Sequence, residues 1–291
     1  MNDFASSWED FAVPQSGRYV LEGQVGVGGM ADVYRARESS SGRHLALKFS
    51  RGDFITADER TRARLGLLRE GWTLSKIHHP NVVALFDMAA THRMAMLALE
   101  LVDGPDLTAW ALRGPGWREI LSVYIAAGEG LAAVHDAGFV HRDFKPSNVL
   151  IGSDGRVRVA DFGLSIPEGL GQAVDGFVVG TPRYMAPEHR MGAAASKLSD
   201  QYSFCYSMGE TLLQAGGREA QVEPAPSALW NLIRIGMNKQ PARRFESMHS
   251  LVKSLRSITK PSQTDRAWPV RIPVQSVSGN RIDTGTTTQQ L

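Results

Sequence analysis

The stretch Val140 to Leu150, VHRDFKPSNVL, sets an acid, a lysine and an amide close together as Asp143, Lys145 and Asn148. Pro146 between them rules out a regular helix interior, because proline lacks the amide donor and clashes with the preceding turn. Apolar residues flank the run, with Phe139 and Val140 before it and Val149, Leu150 and Ile151 after it. The pattern predicts a polar loop held between two core-anchored segments, which positions its side chains firmly. An acid to take a proton, a cation to meet a phosphate and an amide oxygen to hold a metal are the working parts of phosphoryl transfer. That chemistry also needs a nucleotide cradle, a second metal ligand and a platform for the acceptor.

Candidates for each stand elsewhere in the chain. Gly26-Val27-Gly28-Gly29-Met30-Ala31 lies between two strand-like runs. Glycines let backbone amides approach phosphate oxygens, although a plain hairpin turn reads the same way. A dinucleotide-binding loop would open directly into a helix, and Val33-Tyr34-Arg35-Ala36 reads as a strand instead. Lys48, inside the apolar run LALKFS, needs a partner or ligand unless it points to solvent from an edge strand, and Glu70 in LLREGWTL is one candidate partner. Asp161-Phe162-Gly163 follows the strand-like VRVA and offers a carboxylate at a strand end, in the manner of a metal ligand or of an ordinary turn. GTPRYMAPE, Gly180 to Glu188, mixes Pro, Tyr and small residues and reads as an ordered loop.

The elements that must hold these residues divide the chain in two. Tyr19 to Ser50 alternates with tight glycine turns and predicts antiparallel strands. Thr61 to Ile77 predicts a helix, with Leu65, Leu68, Trp72 and Ile77 recurring at helical spacing, and His79-Pro80-Asn81 ends it. Strands over Val82–Asp87 and Met94–Leu101 complete a small sheet with one main helix. Beyond Asp103-Gly104-Pro105 the chain is mainly helical, over Trp117–Asp136, Leu198–Ala215, Ala228–Asn238 and Ser247–Ile258. A hairpin turning at Asp154-Gly155 interrupts these helices. Residues 1–17 read as a loose arm and residues 258–291 as a Thr-rich tail without periodicity, flanking one domain over 18–257.

Composition narrows the class. The 291 residues are 43% hydrophobic and 21% charged, as in a globular protein. A formal net charge of +2 gives no basis for a nucleic-acid partner. The one cysteine, Cys205, has no internal partner for a disulfide. No run is apolar and long enough to span a membrane, and the start lacks the basic, then apolar, layout of a secretory signal, so a cytoplasmic protein is expected.

Taken in order and spacing, these motifs resemble the eukaryotic-type serine/threonine protein kinase family, its bacterial branch above all, from about Tyr19 to about Leu255. The resemblance implies an α+β bilobal fold. An N-lobe over 18–102 would hold a small antiparallel sheet with one main helix, and a mainly helical C-lobe would run over 103–257. ATP and Mg2+ are the implied cofactors, and a protein Ser/Thr hydroxyl the acceptor. Gly26, Val27 and Gly28 would cover the phosphates, with Ala31 where a third glycine is usual, which stiffens the loop. Val33, Ala46 and Leu150 would sandwich the adenine, Leu99 would guard the back of its slot, and Glu100 to Val102 would form the hinge. Lys48 would bind phosphates and pair with Glu70. Asp143 would be the base, Lys145 would meet the γ-phosphate, and Asn148 and Asp161 would hold magnesium. Thr181 would bond near Asp143 and Lys145, Asp200 would brace the catalytic loop, and Glu188 would pair with Arg244. Leu74, Leu85, His141 and Phe162 would form an apolar spine.

Two departures stand out. Members with an arginine before the catalytic aspartate, here Arg142, usually neutralise it with a phosphorylated residue in the following segment. Ile166 to Gly180 contains no Ser, Thr or Tyr, and Asp175 or another acid such as Glu168 is the expected substitute. Between Gln214 and Leu229 the sequence AGGREAQVEPAPSA is too broken for the family's docking helix. The C-lobe is therefore expected to be shortened after the Asp200 helix, with the exposed patch either serving an unusual substrate mode or covered by a regulatory partner. Two alternatives accompany the active-kinase reading: a pseudokinase acting as a nucleotide-binding or scaffolding module, and a small-molecule kinase of the same fold.

Overall fold

A computed structural model describes residues 17–29, 31–51, 56–170, 180–216 and 223–259. Asp175, most of the expected arm and tail, and part of the 214–229 region lie outside the described residues.

Strands β1 (Tyr19–Val27), β2 (Ala31–Glu38), β3 (His44–Ser50), β4 (Leu85–Ala90) and β5 (Ala95–Glu100) form an antiparallel sheet in the order β1-β2-β3-β5-β4. Helix α1 (Ala57–Leu74) packs on this sheet. It starts earlier than its apolar spacing predicts, because Thr56 and Glu59 form a capping box. The Glu59 amide donates to the Thr56 hydroxyl at 3.2 Å and the Thr56 amide to Glu59 Oε2 at 3.1 Å. The inward face also differs from expectation. Leu65 and Trp72 are exposed, whereas Ala63, Leu67, Glu70, Gly71 and Leu74 are buried. Small residues let the helix sit close to the sheet: a Cβ on Gly71 would lie 2.6 Å from Leu97 Cδ2. Trp72 packs edge-on against Phe139 instead.

β4 begins three residues later than predicted. Val82 and Val83 are committed to the other lobe, where Val82 bridges Val159 and the Val83 amide donates to the Val159 carbonyl at 3.0 Å.

The C-lobe is built on α3 (Trp117–Asp136), after a short α2 (Leu107–Ala111) capped by Asp106. Ile120, Leu121, Tyr124, Leu131 and Val134 of α3 are buried. Around it stand α4 (Pro187–Arg190), α5 (Lys197–Gly216), α6 (Ser227–Gly236) and α7 (Met248–Thr259). Buried Tyr124 satisfies its hydroxyl on Thr211 Oγ1 at 2.9 Å. Between the helices lie β6 (Phe139–Val140), β7 (Val149–Ile151), β8 (Val157–Val159) and β9 (Ile166–Pro167), with β7 pairing β8 and β6 pairing β9. This is the expected α+β bilobal architecture. α5 is described as far as Gly216, and the described residues 223–226 carry no helix before α6. Glu223 returns to the start of α3, where it pairs with Arg118. The arginine side chain of that pair also lies over the Trp117 ring.

Candidate active site

The catalytic-loop candidates are fixed by the loop's backbone before any side chain is considered. Asp200, buried on α5, accepts the amides of His141 at 2.7 Å and Arg142 at 2.9 Å, and the ring of His135 at 2.9 Å. Burial works against its ionisation, but these bonds outweigh it and hold the Asp200 carboxyl below the usual range. The bracing matters because Arg142 has φ 71°, a conformation that a non-glycine residue keeps only when its surroundings impose it. His135 carried no signal in the sequence beyond its helical position.

Asp143 is almost buried, with 9% of its surface exposed. Its Oδ1 accepts the Thr181 amide at 2.8 Å and hydroxyl at 2.7 Å, and its Oδ2 accepts Lys145 Nζ at 2.7 Å. Lys145 also donates to Thr181 Oγ1 at 2.8 Å. Asn148 donates Nδ2 to the Asp143 carbonyl at 2.8 Å, which leaves its Oδ1 as the acceptor end. Gly180 lets the Thr181 segment come this close. Its φ is 129°, and a Cβ there would lie 2.9 Å from the Arg142 carbonyl.

Lys48 lies on β3, inside the sheet order, so the edge-lysine alternative is set aside. Its Nζ donates to both Glu70 oxygens at 2.8 Å and to Asp161 Oδ1 at 3.1 Å. Burial alone would pull the Lys48 pKa down, but the Glu70 and Asp161 carboxylates outweigh it and raise it. Asp161 (φ 61°) follows β8, and the Ala160 amide just before it donates to the Asn148 carbonyl at 2.9 Å. Burial opposes its charge, while Lys48, His141 and Lys145 together keep its pKa below the usual value. Asn148 Oδ1 and ionised Asp161 are hard-oxygen donors, the kind that suits magnesium, on segments that the Ala160–Asn148 backbone bond ties together.

The apolar candidates converge between the lobes. Ala46 pairs with Leu99 across β3 and β5, and Val33, Val102 and Leu150 pack on the same core while remaining partly exposed. Gly26 pairs with Val33, and the Gly28 amide donates to the Ala31 carbonyl at 2.9 Å, closing the glycine turn between two strands. Val27 is 70% exposed at its tip. His141 and Phe162 are fully buried with ring centroids 4.9 Å apart. Leu74 and Leu85 join the same core.

The Glu168 expectation is not met. Its carboxylate pairs with Lys197 at 2.8 Å, because β9 pairs with β6 and carries Glu168 to Gly138 and the start of α5. Arg142 Nε has no hydrogen-bond partner among the described residues. Burial and the neighbouring Arg69 guanidinium both depress the Arg142 pKa. The expected Glu188–Arg244 pair is present, as a two-bond fork of 2.6 and 2.8 Å.

The protein kinase domain description matches residues 19–266. The chain belongs to the protein kinase family. Among bacterial relatives, the serine/threonine-protein kinase PknA of Mycobacterium tuberculosis is 32% identical over an alignment of 305 positions, gaps included, covering 90% of this chain and 68% of that protein. Pkn2 of Myxococcus xanthus is 36% identical over 200 residues, covering 65% of this chain and 23% of that protein. PrkC of Bacillus subtilis is 28% identical over 265 residues, covering 83% of this chain and 40% of that protein. No helix among the described residues of this kinase domain is long and apolar enough to cross a membrane.

Proposed function

We propose that this chain, through a domain over 18–257, is an ATP-dependent serine/threonine protein kinase that acts in cytoplasmic signalling, where ATP is available. It would transfer the γ-phosphate to a Ser or Thr hydroxyl of a protein substrate. The observation that carries the reading is Lys48 bonded at once to Glu70 and Asp161. That one cation ties the N-lobe sheet, helix α1 and the end of β8 together beside the Asp143 knot.

In this reading Lys48 meets the α- and β-phosphates while Glu70 keeps it aimed. Gly26, Val27 and Gly28 cover the phosphates with backbone amides. Val33, Ala46 and Leu150 enclose the adenine, Leu99 closes its back, and the Glu100–Val102 backbone reads its polar edge. Asn148 and Asp161 hold magnesium, which neutralises phosphate charge when bound. Asp143 orients the acceptor hydroxyl and takes its proton. Lys145 stabilises charge on the transferred group, and Thr181 keeps both of them in register. The expected regulatory partner belongs to the same reading: Leu213 on α5 is 68% exposed and Ile235 on α6 is 40% exposed, on helices joined through residues 217–226.

The test is phosphate transfer from labelled ATP to a generic protein substrate, wild type against Asp143→Asn. Removing a general base lowers the rate by roughly 10²–10⁴-fold. Equal transfer by the variant refutes the assignment. The absence of Ser, Thr and Tyr from Ile166–Gly180 favours one second reading, a nucleotide-binding module without transfer. Nucleotide binding with no transfer by the wild type would establish that instead.

A further inference from the structure

Arg158 is a charged side chain in the middle of a buried strand, with only 3% of its surface exposed. A guanidinium is buried at tolerable cost only when its donors are met, and here all five N–H groups are. Nε donates to Glu100 Oε1 at 3.0 Å, and Nη2 to Glu100 Oε1 at 2.6 Å and Asp154 Oδ2 at 2.7 Å. Nη1 donates to Asp154 Oδ1 and the Arg156 carbonyl at 2.7 and 3.1 Å. Arg156 adds bonds to the same two carboxylates, Nε to Asp154 Oδ2 at 2.8 Å and Nη2 to Glu100 Oε1 at 3.2 Å.

The two acids belong to different parts of the molecule. Glu100 ends β5, where the chain leaves the N-lobe, and Asp154 sits in the β7–β8 turn of the C-lobe. The segment between the lobes is laid along that hairpin. Ile151 donates its amide to the Pro105 carbonyl at 2.9 Å and Ser153 to the Asp103 carbonyl at 2.7 Å. Contact leaves no room for a side chain: a Cβ on Gly104 would lie 2.0 Å from the Ile151 carbonyl, and one on Gly152 would lie 2.7 Å from Arg158 Nη1. The backbone bonds secure Asp103 and Pro105, and the Arg158 guanidinium secures the Glu100 end. Arg158 is also the cross-strand partner of Leu150, while Glu100 adjoins Leu99, so the clamp joins two walls of the apolar slot between the lobes.

We propose that Arg158 is a positioning residue for the nucleotide: by bridging Glu100 and Asp154 it sets the inter-lobe segment against the β7–β8 hairpin and fixes the width of the adenine slot. The inference rests on the kinase reading. It locates the effect in nucleotide affinity, because Asp143 and Lys145 are braced separately by Asp200 and Thr181.

The full chain is compared with Arg158→Lys, Arg158→Gln and Glu100→Gln. The readouts are the ADP dissociation constant by calorimetry, the melting temperature, and KM and kcat for ATP and a peptide. Lysine keeps the charge but cannot fork to two carboxylates. It is expected to weaken ADP binding about tenfold, as losing charge-assisted hydrogen bonds does. KM for ATP should rise in parallel, and by more than kcat or the peptide KM changes. Glu100→Gln keeps an acceptor and should weaken binding less, with little further loss when combined with Arg158→Lys, since both act on one contact. Should Arg158→Gln fail to fold, the other two variants carry the test. A lowered melting temperature with ADP affinity unchanged would make the network a stability feature only and overturn the proposal. Wild-type protein that binds no nucleotide overturns the kinase reading, and the clamp's role with it.

Discussion

Thr181 reaches Asp143 twice, with its amide at 2.8 Å and its hydroxyl at 2.7 Å, both on Oδ1, across 38 positions of sequence. Lys145 holds the other oxygen and the same hydroxyl, so acid, cation and alcohol form one closed knot. Removing the hydroxyl leaves Asp143 with one fewer donor and Lys145 with one fewer acceptor. Thr181→Val should lower kcat by about 10- to 100-fold, the equivalent of one charge-assisted hydrogen bond, and Thr181→Ser should restore most of it. Steady-state kinetics at saturating ATP provides the check; equal losses in both variants would point to packing of the methyl group instead.

The Glu188–Arg244 fork anchors the end of the GTPRYMAPE platform. The Arg244 side chain is fully buried, and it also donates to the carbonyls of Leu198 and Asn238, each at 2.8 Å. Arg244→Ala leaves a half-buried carboxylate without its cation and takes one donor from each of two carbonyls, with an expected cost of about 3–5 kcal/mol. Equilibrium urea unfolding measures it. A loss below about 1 kcal/mol would place the pair with ordinary surface salt bridges.

Two helical glycines should respond in opposite directions to alanine. On Gly128 in α3 a Cβ would lie 2.7 Å from Val252 Cγ2 and 3.2 Å from Phe204 Cζ, and Gly128→Ala should destabilise by about 1–3 kcal/mol through overpacking. On Gly66 in α1 a Cβ would meet no described atom within 4 Å beyond its chain neighbours and the surrounding helix backbone, and Gly66→Ala should stabilise by about 0.5–1 kcal/mol by lowering unfolded-chain entropy. Their unfolding midpoints should move apart; a stabilised Gly128→Ala would show that α3 and α7 can separate freely.

Burial depresses the pKa of His189, aided by Arg142 and opposed by Asp200 and Glu188. Burial likewise lowers His79, opposed by Asp136. An unfolded histidine titrates near about 6.5, so below that pH the unfolded chain takes up protons that the fold refuses. Stability should therefore fall as the pH drops from about 6.5 until it lies beneath the depressed folded values. His189→Gln should reduce the difference between unfolding midpoints at about pH 7.5 and about pH 5.5; an unchanged difference would exclude His189 as a source.

The Arg69 charge acts on Arg142 and lowers its pKa, and Ile166–Gly180 contains no Ser, Thr or Tyr to carry a neutralising phosphate. Exhaustively dephosphorylated protein should therefore keep its activity, while Asp175→Asn, outside the described residues, should lower it. Loss of activity on phosphatase treatment, with a phosphorylated residue located by mass spectrometry, would sink this expectation.

Read alone, the sequence determined the order of elements and the set of polar motifs. Strand alternation, glycine turns and the 3.6-residue period are local properties, written in neighbouring residues. The bounds of α3, the β7–β8 hairpin and the candidates Asp143, Lys145, Asn148 and Asp161 were legible for that reason. The start of α1 was legible too, in Thr56 and Glu59, although apolar spacing pointed elsewhere. Tertiary structure alone decided which face of α1 turns inward, since Gly71 adds nothing to a hydrophobic pattern yet permits the closest approach to Leu97. It also decided that Lys48 meets an acid 113 positions away, that Glu168 goes to Lys197 rather than Arg142, and that Arg158 joins the two lobes. Such pairings are set by where distant segments meet once the core has packed, and no local period encodes that meeting point.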